Sequence, residues 1–567
     1  MNLVTEAWIP VVRPDGKRGT VSLMQVFTEG RQFADLAVRP HERIALMRLL
    51  ICIAQAALDG PEDIDAWDEA SNALPQAAKN YLEKWEPWFN LFDSDKPFLQ
   101  IADVEKPIKE KPVKISVPET SSGNKRRKKK QDEENKGDEQ TSSLVRVSKL
   151  DFALATGANT TLFDHLGAPN VDRDFSIASL AIWLLTFQNF SPGGTIGVAL
   201  WKEKPTLGWS SYPKIKPGQS GHAPCLPKNM LHAFIRRENL LNTILANLLT
   251  KDAVSEHFGK EAWGHPIWEK FPTGIDDSDA IKNATQTYLG RLAPLTRCIK
   301  LNQDGKEMLL ANGLKYPVFD EDAKECFPAE PSATVIRNRE KTKRLLLGAN
   351  PGKAIWRELS SLIIARTNEK GSIGGPLTLR NVPANEKFDL WTGALLTERG
   401  KAANILDTVE SVLEVNAGMR TDNGRVAYDA EIQWAEGLAG KLGWAVETYR
   451  KESDGGWEGR LKAAKDKRKL QGQLHATATR HYWTALEKLR PLLMAHVEAI
   501  GTTAEAVEKT RDAWRKAVHG AARQAYELAC GQETPRQIRA YALGWAKLFA
   551  KQQSNDAQEP ETVETED

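Results

Sequence analysis

The sequence predicts an α+β protein, with a large mixed N-terminal domain over residues 1–400 and a C-terminal antiparallel four-helix bundle over residues 401–553. Three observations lead there. Up to residue 400, short strand-like runs, proline turns and single helical stretches alternate. From Ala403 onward, long helical patterns with few prolines run nearly to the end. A chain of 567 residues also exceeds what one hydrophobic core accommodates.

In chain order, LVTEAWIPVV and GTVSLMQVF read as strands split by the turn Pro14-Asp15-Gly16. His41–Leu58 places Ile44, Met47, Leu50, Ile51, Ala54 and Leu58 at helical spacing, which predicts a buried amphipathic helix. WFNLFDSDKPFLQI gathers aromatics around a polar turn. From residue 105 to 143 the hydrophobic pattern vanishes and a cation run, KRRKKK, is followed by a stretch dense in Asp and Glu. Such a segment cannot bury enough apolar area to offset its ordering entropy, so it is expected to be a disordered charged insertion.

Order is expected again in a helix from Ser176 to Phe190, a second helix over Lys228 to Thr250, strands in CIKLNQ and MLLANGLKYPVF, and a helix in AIWRELSSLIIA. In the bundle, Tyr482, Leu486, Leu489, Leu493 and Val497 form one apolar stripe. Thr502 with Glu505 predicts a capping box, and Thr534-Pro535 an N-cap followed by proline at the first helical position. Residues 554–567 read as an acidic disordered tail.

Composition bounds the function. With 41% hydrophobic and 27% charged residues, the chain has no apolar run near the roughly 18 residues of a membrane span. The N-terminus lacks the pattern of a secretory signal, so a cytoplasmic protein without membrane partners is expected. Five scattered cysteines, never spaced as CxxC, argue for reduced thiols rather than disulfides or zinc. Against 77 Lys and Arg stand 75 Asp and Glu, a net charge of +2. No global field would draw this chain onto DNA, and any nucleic-acid contact must be local.

No catalytic motif is present. The histidines have no metal-binding spacing, and neither a phosphate loop nor a nucleophile elbow occurs. Asp172 with Asp174, and Asp320-Glu321-Asp322, resemble pieces of a divalent-metal nuclease site, so a metal-dependent nuclease or phosphohydrolase is the alternative reading. No metal or cofactor is otherwise expected. Three loops stand out instead. TGANTTLFDH (Thr156–His165) carries Phe163 among poor helix formers, where the ring either stacks on an unpaired base, worth roughly 1–3 kcal/mol, or folds into the core. Gly193-Gly194 after Pro192 allows close backbone approach or simply stops a helix. Lys315 either projects into a groove or is an ordinary surface lysine.

Together, NLVTEAWIPV, WFNLFDSDKPFLQ, TGANTTLF, the glycine pair, ILDTVESVLEV and HATATRHYWTALEKLRPLL resemble, in order, the CasA family, the large subunit of the type I-E CRISPR surveillance complex Cascade. The resemblance covers nearly the whole chain apart from residues 105–143. It implies a non-enzymatic protein that recognises the protospacer-adjacent motif of double-stranded DNA from the minor groove, promotes duplex opening and recruits the helicase-nuclease. Its implied partners are target DNA, the CRISPR guide RNA and the other Cascade subunits. Carried onto this sequence, Phe163, with Asn159 and Thr160, would contact the guide-RNA handle. Gly193, Gly194 and Lys315 would read the motif. The strand-separating wedge would fall on Thr397–Asn404, with Lys401 and Ala402 where some members carry glutamine.

Overall fold

Short polar residues set where the elements start. Ser22 accepts a hydrogen bond from the Gln25 backbone N–H while the Gln25 side chain accepts from the Ser22 N–H, a capping box that opens a helix over Leu23–Thr28. The expected second strand therefore stops at Val21. Arg18–Val21 pairs antiparallel with Ile9–Val12, with Val11 opposite Gly19. The computed structural model describes residues 1–105, 144–152, 174–192, 199–206, 223–323, 326–366, 372–383, 385–398, 401–453 and 464–549, with backbone alone for 401–404 and 464–473. The charged insertion beyond Glu105 and the acidic tail lie outside them.

The chain divides into two units, Met1–Pro383 with Phe388–Glu414, and Ala384–Lys387 with Val415–Asp567. In the first unit the Pro40–Ala57 helix is the centre of the core, as its spacing foretells, but it is buried on nearly every side rather than along one stripe. It packs against the Ile64–Trp85 and Ile177–Phe190 helices. The latter begins at Ser176, whose side chain accepts from the Ser179 N–H.

Two three-stranded sheets carry the functional argument. In one, Glu307–Asn312 lies between Leu144–Arg146 and Arg297–Leu301, with Asn312 opposite Arg297. In the other, Phe388–Glu398 lies between Lys401–Val415 and His232–Arg236, with Gly393 opposite His232. The second sheet corrects two expectations. The helix expected over Lys228–Thr250 is a strand followed by a shorter helix, Leu240–Ala246, because HAFIR finds a partner strand in the chain around residue 390. ILDTVESVLEV is strand, not helix: its β-branched residues fit a pleated surface. The division thus falls after residue 414 rather than at 400.

The first unit also buries an ionic group. Arg48 donates to Glu330 at 2.7 Å and Arg291 donates through Nε at 3.0 Å. Burial would raise the Glu330 carboxyl, but the two guanidiniums overcome it and hold it down at about 2.

Among its described residues the second unit carries the helices Asp422–Ser453, Ala464–Lys488, Arg490–Ala499, Ala504–Ala529 and Pro535–Leu548. Tyr482, Leu486, Leu493 and Val497 are fully buried, but the stripe crosses a helix break at Leu489, two residues before Pro491, which cannot donate to the ladder. The Ala504 helix is capped by Thr503, which accepts from the Ala506 N–H, and not by Thr502. Thr534 caps the last helix together with Gln537. That helix approaches closely because a Cβ on Gly544 would lie 2.6 Å from the Ala445 carbonyl oxygen.

Candidate nucleic-acid interface

The Ile177–Phe190 helix ends in a knot of buried amides. Gln188 Nε2 donates to the carbonyls of Arg297 and Leu99 at 2.9 and 3.1 Å, and its Oε1 accepts from the Arg297 N–H at 2.9 Å. Thr296 Oγ1 donates to the Gln188 carbonyl at 2.7 Å. The helix end is thereby bolted to the start of the Arg297–Leu301 strand through backbone groups.

Arg297 adds a second tie. Its Nε donates to Ser191 Oγ and its Nη2 to the Pro192 carbonyl, both at 2.5 Å, while Nη1 reaches Asn312 Oδ1 at 3.4 Å. The side chain is 2% exposed. Burial pushes its guanidinium down to about 10. Gly313 follows Asn312 and is required there: a Cβ would lie 2.6 Å from the Arg297 backbone nitrogen. Leu314 N–H donates to the Leu295 carbonyl at 2.9 Å, and Leu295 N–H to Tyr316 Oη at 2.8 Å. The backbone is therefore pinned on both sides of Lys315. Lys315 is itself buried, and desolvation lowers its ammonium pKa. Sequence left open whether it projects into a groove or lies on the surface; in this structure the side chain is covered.

A third root joins these two. Cys225 N–H donates to the Asn189 carbonyl at 3.2 Å, and the Cys225 carbonyl lies 3.1 Å from His232 Nε2. Burial pushes His232 down to about 4, so the ring is neutral at pH 7. Nε2–H then donates to Cys225, and Nδ1 accepts from Ser332 Oγ, 2.8 Å away. Four residues after Cys225, the Asn229 side chain accepts from the Thr397 N–H at 3.0 Å and from Thr397 Oγ1 at 2.8 Å, and donates to the Thr397 carbonyl at 3.2 Å. The chain entering Gly193, the chain entering Lys315 and the chain entering residues 397–404 thus share one hydrogen-bonded framework.

A family model for the CRISPR-associated protein Cse1 matches residues 2–525. The chain belongs to the Cse1 family. CasA/Cse1 of Thermus thermophilus is 25% identical over 546 residues, covering 93% of this chain and 91% of that protein. The crystal structure of Thermus thermophilus CasA aligns with a TM-score of 0.67 at 21% identity, over 97% of this chain and 98% of that one. A chain of a CRISPR RNA-guided surveillance complex aligns with a TM-score of 0.64 at 15% identity, over 97% and 99%. The mixed α+β fold is that of the Cse1 structures.

In this Cse1 chain, Phe163, Asn159, Thr160, Gly193 and Gly194 lie outside the described residues. Lys401 and Ala402 open the Lys401–Val415 strand, where only the backbone is described. Of the acids considered for a nuclease, Asp174 pairs at the surface with Lys306 at 3.4 Å, Glu321 with Arg344 at 2.6 Å and Asp322 with Lys343 at 2.5 Å. Asp172 lies outside the described residues. Among the described residues no group of three or more His, Cys, Asp or Glu could hold a metal ion, and no helix is long and apolar enough to cross a membrane. Sequence reasoning passed over Arg297, Asn229 and Asn312. Asn229 carries one local signal, a backbone φ of 54° that asparagine tolerates, but it sat inside a stretch read as helix.

Proposed function

We propose that this Cse1 chain is the DNA-checking large subunit of an RNA-guided surveillance complex. In this reading Gly193, Gly194 and Lys315 probe a short motif beside the target from the minor groove. The segment around Lys401 and Ala402 enters between the strands. Phe163, Asn159 and Thr160 meet the handle of the guide RNA. The helices after residue 415 form an antiparallel four-helix bundle, and the subunit as a whole docks a helicase-nuclease and performs no cleavage itself.

The observation that carries this reading is the common framework under the three roots, because a motif reader and a strand separator must act on neighbouring base pairs. The chemistry agrees with it. Minor-groove edges present a degenerate pattern, so one lysine and a close backbone approach can sort short motifs but cannot read a long sequence. Sequence is left to guide pairing, a division of labour known in an unrelated RNA-guided effector. A chain of net charge +2 has little counterion-release affinity of its own, so duplex binding belongs to the assembled complex.

The test is binding of the reconstituted complex to duplexes randomised beside a matched target. Lys315→Ala and a Gly193/Gly194 double alanine are expected to flatten motif preference and leave guide-paired single-strand binding intact, while Lys401→Ala slows opening. Equal loss of both kinds of binding would overturn the reading.

A further inference from the structure

We infer that Arg297 is a positioning residue for motif recognition, holding the chain that enters Gly193-Gly194 and the chain that enters Lys315 at a fixed separation. The inference rests on the function proposed above and adds to it a residue that touches no DNA.

Arg297 opens its strand directly opposite Asn312, so its side chain is the one placed to reach from that strand pair to the helix end at Ser191. Each of its three nitrogens is engaged: Nε with Ser191, Nη2 with Pro192 and Nη1 with Asn312. Pro192 immediately precedes Gly193, and Asn312 stands three residues before Lys315. A planar fork fixes angle as well as distance, which a lysine ammonium on a flexible stem does not.

The electrostatics argue against a purely structural role. All three acceptors are neutral, and no described carboxylate pairs with this guanidinium. Elsewhere in the same unit the buried Arg48 and Arg291 share Glu330. A buried cation without an anion carries a desolvation cost that neutral dipoles only partly offset. An apolar side chain would fill the space without that penalty. It would not tie two segments together. A second tie at this point does not use the fork: Gln188 binds the backbone N–H and C=O of residue 297, groups that every residue except proline offers.

The experiment uses the reconstituted complex carrying Arg297→Met, Arg297→Lys, Lys315→Ala and the Arg297→Met/Lys315→Ala double variant. Affinities are measured for duplexes with a preferred and a scrambled motif and for single-stranded target. Arg297→Met is expected to lower motif discrimination roughly tenfold, the loss of about one well-placed contact, with single-strand affinity unchanged. Arg297→Lys should fall between it and wild type, and the double variant should discriminate no worse than Lys315→Ala alone. Wild-type discrimination in Arg297→Met, or strictly additive losses in the double variant, would overturn the role of Arg297 while leaving that of Lys315 standing. If Lys315→Ala itself discriminates normally, the parent reading falls and this one with it. Should Arg297→Met fail to assemble, Arg297→Lys decides: undiminished discrimination there overturns the inference.

Discussion

Asn229 holds Thr397 through three hydrogen bonds from a single side chain, taking both its N–H and Oγ–H and donating to its carbonyl. The His232–Arg236 strand pairs with Phe388–Glu398 as far as His232 and Gly393. Beyond that point the Asn229 amide stands in for the missing backbone partner and carries the ladder to the root of residues 397–404. It does so from a left-handed backbone conformation, φ 54°.

Asn229→Gly keeps that conformation accessible and removes the clamp. Opening of a motif-bearing duplex, followed by a fluorescent base analogue, is expected to slow. A duplex with a pre-opened bubble should bind as tightly as to wild type. Equal weakening on both substrates would mean the clamp only stabilises the fold.

Glu330 neutralises two buried guanidiniums, and Glu330→Gln would leave both without a counter-charge. Removing one partner of such a group costs roughly 3–5 kcal/mol. The midpoint of urea unfolding is expected to drop accordingly. A change under about 1 kcal/mol would show that the arginines find other anions or water.

Acidification should destabilise the first unit in two stages. Burial is the main cause holding His41, His232 and His257 down at about 3, 4 and 3. The unfolded chain binds protons first, below its ordinary histidine value near 6.5, so stability falls from there downward by up to about 1.4 kcal/mol per pH unit for each ring. Glu330, held at about 2, adds a loss that begins as pH falls into the ordinary carboxylate range, where the unfolded chain takes up the proton first, and continues down to the folded value. Thermal unfolding followed from pH 7 to 4 checks the first stage, and a flat profile between pH 6.5 and 5 would contradict it.

Lys315 is buried, whereas the Lys17 side chain is 80% exposed. An amine-acylating reagent applied to the free chain should label Lys17 well before Lys315 in peptide maps. Comparable rates would mean that Lys315 is uncovered before any duplex arrives.

Local chemistry made some elements readable. Ser176, Thr534-Pro535 and the Pro14-Asp15-Gly16 turn act within four residues of themselves, and the structure has the expected helix starts and turn there. LMQVF, Lys228–Thr250 and ILDTVESVLEV misled. Each can follow either a helical or an extended pattern locally; for LMQVF the overlooked Ser22–Gln25 capping box decides, and for the other two the choice belongs to a partner elsewhere, the Phe388–Glu398 strand.

The candidate site divides in the same way. Unusual composition marks a glycine pair, a lone lysine and an aromatic loop as worth attention, and nothing in the spacing says that their roots meet. Arg297 lies 106 and 105 positions from Ser191 and Pro192, and Asn229 lies 168 from Thr397.

By itself the sequence determined the α+β class, the strands and helices whose caps and turns are local, the absence of a known catalytic motif and the family resemblance. Only the tertiary structure decided that Lys315 is buried, that a buried arginine with neutral acceptors joins two loops and that an asparagine side chain extends a sheet. Hydrogen bonds and desolvation depend on which groups are brought within about 3 Å, and residues more than a hundred positions apart acquire that proximity only when the chain has folded.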